Sequence, residues 1–140
     1  ISSDLTRAMA TADALGPRPR LPHDPALREI NFGQWETRPF AEIEAESPDH
    51  IRAFWDRPGD IAPPEGKLEC LSIRTWAALD RLQDLAPDII VVAHFGPIVA
   101  ALQRAEGLSP EAAFAHRIDN HSVTSLSLAP PKVFSINHRP

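Results

Sequence analysis

The stretch that decides the fold is Asp88-Ile-Ile-Val-Val-Ala-His94-Phe-Gly-Pro-Ile-Val-Ala-Ala-Leu102. Residues 89–93 are an unbroken apolar run rich in β-branched side chains, the composition of a strand covered on both faces, as in a parallel sheet. The run stops at His94. Gly96 and Pro97 then break the strand, and Pro97 suits the first turn of a helix over residues 98–105, where an N–H would have no partner anyway. In such a sheet the carboxyl end of a strand, facing the N-terminus of the next helix, lines the ligand crevice. The helix end offers free N–H groups and the positive end of a dipole, a setting for an anion. His94 thus stands where a strand–turn–helix unit places chemistry on a phosphate or a carboxylate. The plainer reading is a histidine that caps a strand end.

Beyond this unit, Gly107 closes the helix, Ser109-Pro110-Glu111 opens a short helix to about His116, and residues 122–128 alternate as a strand. Pro130-Pro131 turns the chain, and residues 133–137 make a last strand. Before the unit, Leu68, Leu71, Leu79, Leu82 and Leu85, with Trp76 as a further core residue, mark a long helix over about 67–85. Residues 58–66 read as a loop and pocket rim. A helix starting at Ser47-Pro48-Asp49 and ending at Pro58-Gly59 turns Ile51, Phe54 and Trp55 inward, and Thr37 with Pro39 starts another that runs through Glu46. Ser3 is a fitting N-cap for a helix over 4–15, which carries Leu5, Ala8, Met9, Ala12 and Leu15 on one face and ends at Gly16-Pro17. Helices between apolar strands give an α/β layered fold.

A chain of 140 residues, 43% hydrophobic and 24% charged, suits one domain with a real core. A net charge of −5 gives no reason to expect nucleic acid or an anionic membrane as partner. Of the 14 basic residues only Lys67 and Lys132 are lysines; arginine suits phosphate binding, but codon bias explains the ratio equally well. The single cysteine, Cys70, excludes an internal disulfide and a multi-cysteine zinc site, and reads as a buried, inert thiol. No stretch has the length of a membrane span or the pattern of a signal peptide, so a cytoplasmic location is the default expectation.

Two more residues invite a functional reading. Arg7 lies in the first turn of its helix, where the dipole disfavours a cation; it serves either a bound anion or only the solvent. Glu29, between Leu27 and Ile30, either lies partly out of water, which raises a carboxyl pKa and suits a general acid, or is simply exposed. His23 and His50 read as surface residues. His116 and His121 straddle a loop without a third ligand at metal spacing, so neither a metal nor another cofactor is expected.

Three segments together resemble one family. Ser2-Ser3-Asp4-Leu5-Thr6-Arg7-Ala8 with Thr11-Ala12 is similar to its S-x-L-x-R-A-x-x-T-A helix start. Leu27-Arg28-Glu29-Ile30 with Phe32-Gly33-Gln34-Trp35-Glu36 is similar to its L-R-E-x-x-F-G-x-W-E segment, and Val92-Ala93-His94-Phe95-Gly96 to its V-S-H-G-G strand end; Phe134-Ser-Ile-Asn-His138 also fits. The family is the histidine phosphatase superfamily, also called phosphoglycerate mutase-like, and in particular its small phosphatase branch that includes α-ribazole phosphatase. The resemblance implies a three-layer α/β/α fold with a mostly parallel central sheet and a phosphohistidine mechanism. In it Arg7 and His94 clamp the phosphoryl oxygens, the Phe95 N–H adds a donor, and Glu29 protonates the leaving alcohol and then activates water.

The chain departs from the pattern in three places. The family's nucleophilic Arg-His-Gly lies on a first strand, ahead of the point where this chain begins, and is absent from these 140 residues. A single domain lacking its N-terminal strand is therefore expected. Phe95 replaces a glycine, adding bulk at the expected pocket floor, and Gly66-Lys67-Leu68 replaces G-E-S. The expected activity is phosphomonoester hydrolysis on a small phosphorylated metabolite; the alternatives are a non-catalytic phosphate- or nucleotide-binding module on the same fold and a phosphoglycerate mutase. The oligomeric state stays open, a homodimer included.

Overall fold

A computed structural model describes residues 1–66 and 71–140. Lys67 and Cys70, and with them the start of the long helix, lie outside the described residues. Six α-helices are described: α1 Thr6–Ala14, α2 Phe40–Glu46, α3 Pro48–Asp56, α4 Leu71–Leu82, α5 Phe95–Glu106 and α6 Pro110–Phe114. Two strands, β1 Val123–Leu128 and β2 Pro131–His138, pair antiparallel as a hairpin.

The molecule is built around α5. Val99, Ala100 and Leu102 are almost wholly buried, and full burial of a valine or leucine contributes roughly 1.5–3 kcal/mol each. On one side Ala100 packs with Ile30 and Leu71; on the other Ala101 packs with Leu79 and Leu82, flanked by Ile89, Val91, Leu126 and Leu128. A third cluster of Trp35, Ile43, Ile51 and Phe54 lies under α2 and α3. Helix ends follow local chemistry. Gly107 takes the left-handed conformation after α5, and the Ser109 hydroxyl accepts from Ala112 N–H at the start of α6.

Several expectations need correction. Residues 89–93 are extended but not covered on both faces: Ile90 is 52% exposed, and the pairing is a single parallel bridge between Ser2 and Val92. Ile1 N donates to Ile90 O, Val92 N to Ile1 O and Ser3 N to Val92 O, each at 3.0 Å. The pairing shown by the described residues is this bridge and the antiparallel hairpin. Helix α5 starts at Phe95 rather than residue 98, since Pro97 is tolerated in a first turn that needs no donor from it. Helix α1 starts at Thr6, and its N-cap is Leu5, not Ser3, whose hydroxyl is engaged elsewhere. Leu15 and Leu85 are exposed because α1 and α4 end before them, while Trp55 stays partly exposed beside the buried Phe54. Trp76 is half-buried, with its ring N–H on Ala100 O. His50 is no open surface residue either: its ring bonds Ala62 O and meets the edge of Trp35. Among the described residues no helix is long and apolar enough to cross a membrane.

Candidate active site at the start of α5

Helix α5 begins where the extended segment 90–92 ends, and His94 is its N-cap. The short pairing with residues 1–3 brings the start of α1, and with it Arg7, to the same end of the molecule. Glu29 arrives on the segment that follows a 3₁₀ turn at Pro25–Leu27, itself capped by Asp24. That segment is held from both sides. Arg74 of α4 donates to Ala26 O at 2.6 Å and to Glu29 O at 3.0 Å, while Arg28 forks onto the Asp4 carboxylate three residues before Arg7.

The Glu29 side chain is aimed at the helix start. Its Oε1 accepts from Gly96 N–H at 2.8 Å and from Ile30 N–H at 2.9 Å. This approach exists because residue 96 has no side chain: a Cβ there would stand 2.6 Å from Glu29 Oε1 and 2.9 Å from Ile30 Cγ1. Burial pushes the Glu29 carboxyl pKa above the usual carboxylate range, and the Ile30 and Gly96 N–H groups, the Arg7 charge and the Phe95 N–H restrain the rise. A carboxyl so placed holds its proton to higher pH than an open one.

His94 is 8% exposed, and its Nε2 lies 2.7 Å from the Ser3 hydroxyl. Burial, then the positive charges of Arg7 and Arg74, push its pKa down to about 4, so the ring is neutral near neutral pH. Arg7 itself is exposed, and its charge acts on both Glu29 and His94. The fold therefore brings Arg7, Glu29 and His94 together around one helix N-terminus. The Phe95 ring makes edge contacts with Trp55 and Phe114, with ring centres 6.0 and 5.6 Å apart. It thereby joins an aromatic cluster whose apolar edges complement its face.

Ser3, Arg74 and Gly96 bond His94 or Glu29, contacts that sequence reading did not assign. Ser3 and Gly96 stood inside quoted motifs, whereas nothing local to residue 74 announces that its guanidinium reaches back to residues 26 and 29. Among the described residues no group of three or more His, Cys, Asp or Glu side chains could hold a metal ion. A cavity of about 440 Å³ opens elsewhere, between the end of α1 and residues 85–92, and neither Arg7, Glu29 nor His94 lines it.

A neutral imidazole, a proton-holding carboxyl and a guanidinium at a helix N-terminus can bind a tetrahedral anion and hand a proton to a leaving oxygen. The chain is similar to known phosphatases. The chain is 28% identical over 124 residues to the Escherichia coli adenosylcobalamin/alpha-ribazole phosphatase, covering 85% of this chain and 61% of that protein. It is 32% identical over 118 residues to the glucosyl-3-phosphoglycerate phosphatase of Mycobacterium tuberculosis, covering 75% of this chain and 52% of that protein. The chain thus spans about half to three-fifths of the length of these relatives. The structure of the mycobacterial glucosyl-3-phosphoglycerate phosphatase with inorganic phosphate superposes with a TM-score of 0.81 and 27% identity, over 99% of this chain and 75% of that one. The fold is accordingly that of the phosphoglycerate mutase-like proteins. A family profile matches residues 1–137, and the chain belongs to the histidine phosphatase superfamily, branch 1.

Proposed function

We propose that the protein hydrolyses a phosphomonoester through a phosphohistidine intermediate, with a nucleophilic histidine from outside these 140 residues. The carrying observation is the Glu29 carboxyl seated against the Gly96 N–H, one turn-start away from His94 and within the field of Arg7. In the first step the nucleophile's ring nitrogen bonds to phosphorus, the bond from phosphorus to the ester oxygen breaks, and Glu29 gives its proton to the departing alcohol. In the second, Glu29 as carboxylate takes a proton from water, the water oxygen bonds to phosphorus, and the N–P bond breaks to release phosphate. Arg7 and an N–H of His94 hold the phosphoryl oxygens as charge shifts onto them.

The relatives' names favour a small phosphorylated metabolite as substrate, and a cytoplasmic site of action belongs to the same reading. So does a single three-layer α/β/α domain whose sheet continues the parallel pairing of Ser2 with Val92.

The test is turnover of a phosphomonoester by the full-length protein, with trapping of an acid-labile phosphoprotein. A burst of alcohol with the labelled intermediate is expected, and His94→Ala should lower kcat by about 10²- to 10³-fold with the fold intact. Saturable phosphate binding without turnover would instead make the domain a non-catalytic binding module.

A further inference from the structure

We propose that the buried Ser3 hydroxyl donates its proton to Nε2 of His94, fixing the imidazole as the Nδ1–H tautomer and making Nδ1–H the donor presented to a phosphoryl oxygen. The tautomer follows from hydrogen-bond accounting alone; the donor role rests on the phosphatase reading given above.

Ser3 is wholly buried, at 0% exposure. Among the described residues its Oγ has two partners: His94 Nε2 at 2.7 Å and the Leu5 N–H at 3.4 Å. The Leu5 N–H can only donate, so it occupies a lone pair of Oγ and leaves the hydroxyl proton to be placed. If Nε2 carried a proton and donated it to Oγ, the Ser3 hydroxyl would accept twice, and its own proton would have no acceptor in a site closed to water. Buried donors are almost always satisfied. The arrangement that satisfies every group has the hydroxyl donating to an unprotonated Nε2.

The backbone holds the hydroxyl in place for this. Ser3 N donates to Val92 O, two residues before His94, and Ser2 O accepts from Asp24 N. The same parallel bridge that orders residues 1–3 therefore sets the distance from Ser3 to the ring.

The other nitrogen is the one available to a ligand. Nδ1 has no hydrogen-bond partner among the described residues, and the single buried side-chain polar atom without a partner there is Thr75 Oγ1. Nδ1 must therefore reach the surface. A neutral histidine has one N–H to give, and locking Nε2 as acceptor directs that N–H to Nδ1. Ser3 is thus a positioning residue: it acts on the phosphoryl group only through His94.

The experiment is a long-range ¹H–¹⁵N correlation spectrum of the imidazole nitrogens of the full-length protein near neutral pH, with and without inorganic phosphate, for the wild type, Ser3→Ala and Ser3→Thr. A pyrrole-type Nδ1 and a pyridine-type Nε2 are expected for His94 in the wild type. Ser3→Thr should keep this pattern, and Ser3→Ala should shift the population toward the Nε2–H tautomer. Nε2–H in the wild type, or an unchanged pattern in a folded Ser3→Ala, would overturn the assignment; if Ser3→Ala does not fold, the wild-type spectrum decides alone. A wild type with the expected tautomer whose Nδ1 does not move on adding phosphate would leave the tautomer standing and overturn the phosphoryl role.

Discussion

Glu29 and His94 shift in opposite directions for one reason. Each is drawn toward its neutral form because burial penalises charge. A neutral Glu29 is a carboxylic acid with a proton to give, which matters only when the leaving alkoxide needs one. Glu29→Gln keeps an oxygen for the Gly96 and Ile30 N–H groups and so should preserve the fold. In the phosphorylation step, read as kcat/KM, it should slow alkyl phosphates by about 10²- to 10⁴-fold and nitrophenyl phosphate far less, since only the former needs a proton on its leaving group. Equal losses on both substrates would remove the acid role. The His94 shift predicts a stability effect whose sign is fixed. The folded-state pKa of about 4 lies below the ordinary value of 6.5, so the folded state binds fewer protons in that window. Its contribution is fully present above pH 6.5 and is lost as pH falls toward 4. Urea midpoints of the wild type and His94→Gln should differ by a constant above pH 6.5, and below it the wild type should lose ground. Parallel curves down to pH 4 would mean that Arg7, Arg74 and burial do not depress this ring.

At the scale of elements, the start of α5 is where packing and chemistry coincide. Gly96→Ala should displace the Glu29 carboxylate, since the new Cβ meets both Oε1 and the Ile30 side chain. Overpacking of this kind costs about 1–3 kcal/mol, and turnover should fall further than this loss of stability explains. Denaturant titration with kinetics on the same variant checks both, and unchanged turnover would separate Gly96 from the site. Much of this element structure is legible locally. Ser109-Pro110 starts α6, Pro48 stands in the first turn of α3, and the alternating hairpin strands appear where their patterns place them. Residues 89–93 are different. A purely apolar run states that its side chains prefer burial but not what covers them, and Ile90 is half exposed. Ser3 errs the other way: an N-cap residue by type, it gives its hydroxyl to a histidine 91 positions away.

For the molecule as a whole, the three candidate site residues come from the start of α1, an irregular segment and the N-cap of α5, so their assembly reports global folding. A phosphate analogue that binds only the assembled site should raise the unfolding temperature. Vanadate at 100 times its dissociation constant would add about 2.7 kcal/mol, and Arg7→Ala should abolish most of that gain without lowering the ligand-free midpoint appreciably. An equal ligand-induced rise in Arg7→Ala would place the anion away from Arg7.

What the amino-acid sequence determined by itself was the family pattern, the helix-starting histidine and the three residue types suited to a phosphoryl group, because these lie in short motifs whose chemistry is local. Only the tertiary structure decided that Glu29 is partly buried and bonded to the Gly96 N–H, that Phe95 joins the aromatic cluster, and that Arg74 and Ser3 bond Glu29 and His94. Burial and hydrogen bonding across 45 to 91 positions depend on how elements pack, and no local window of sequence contains that information.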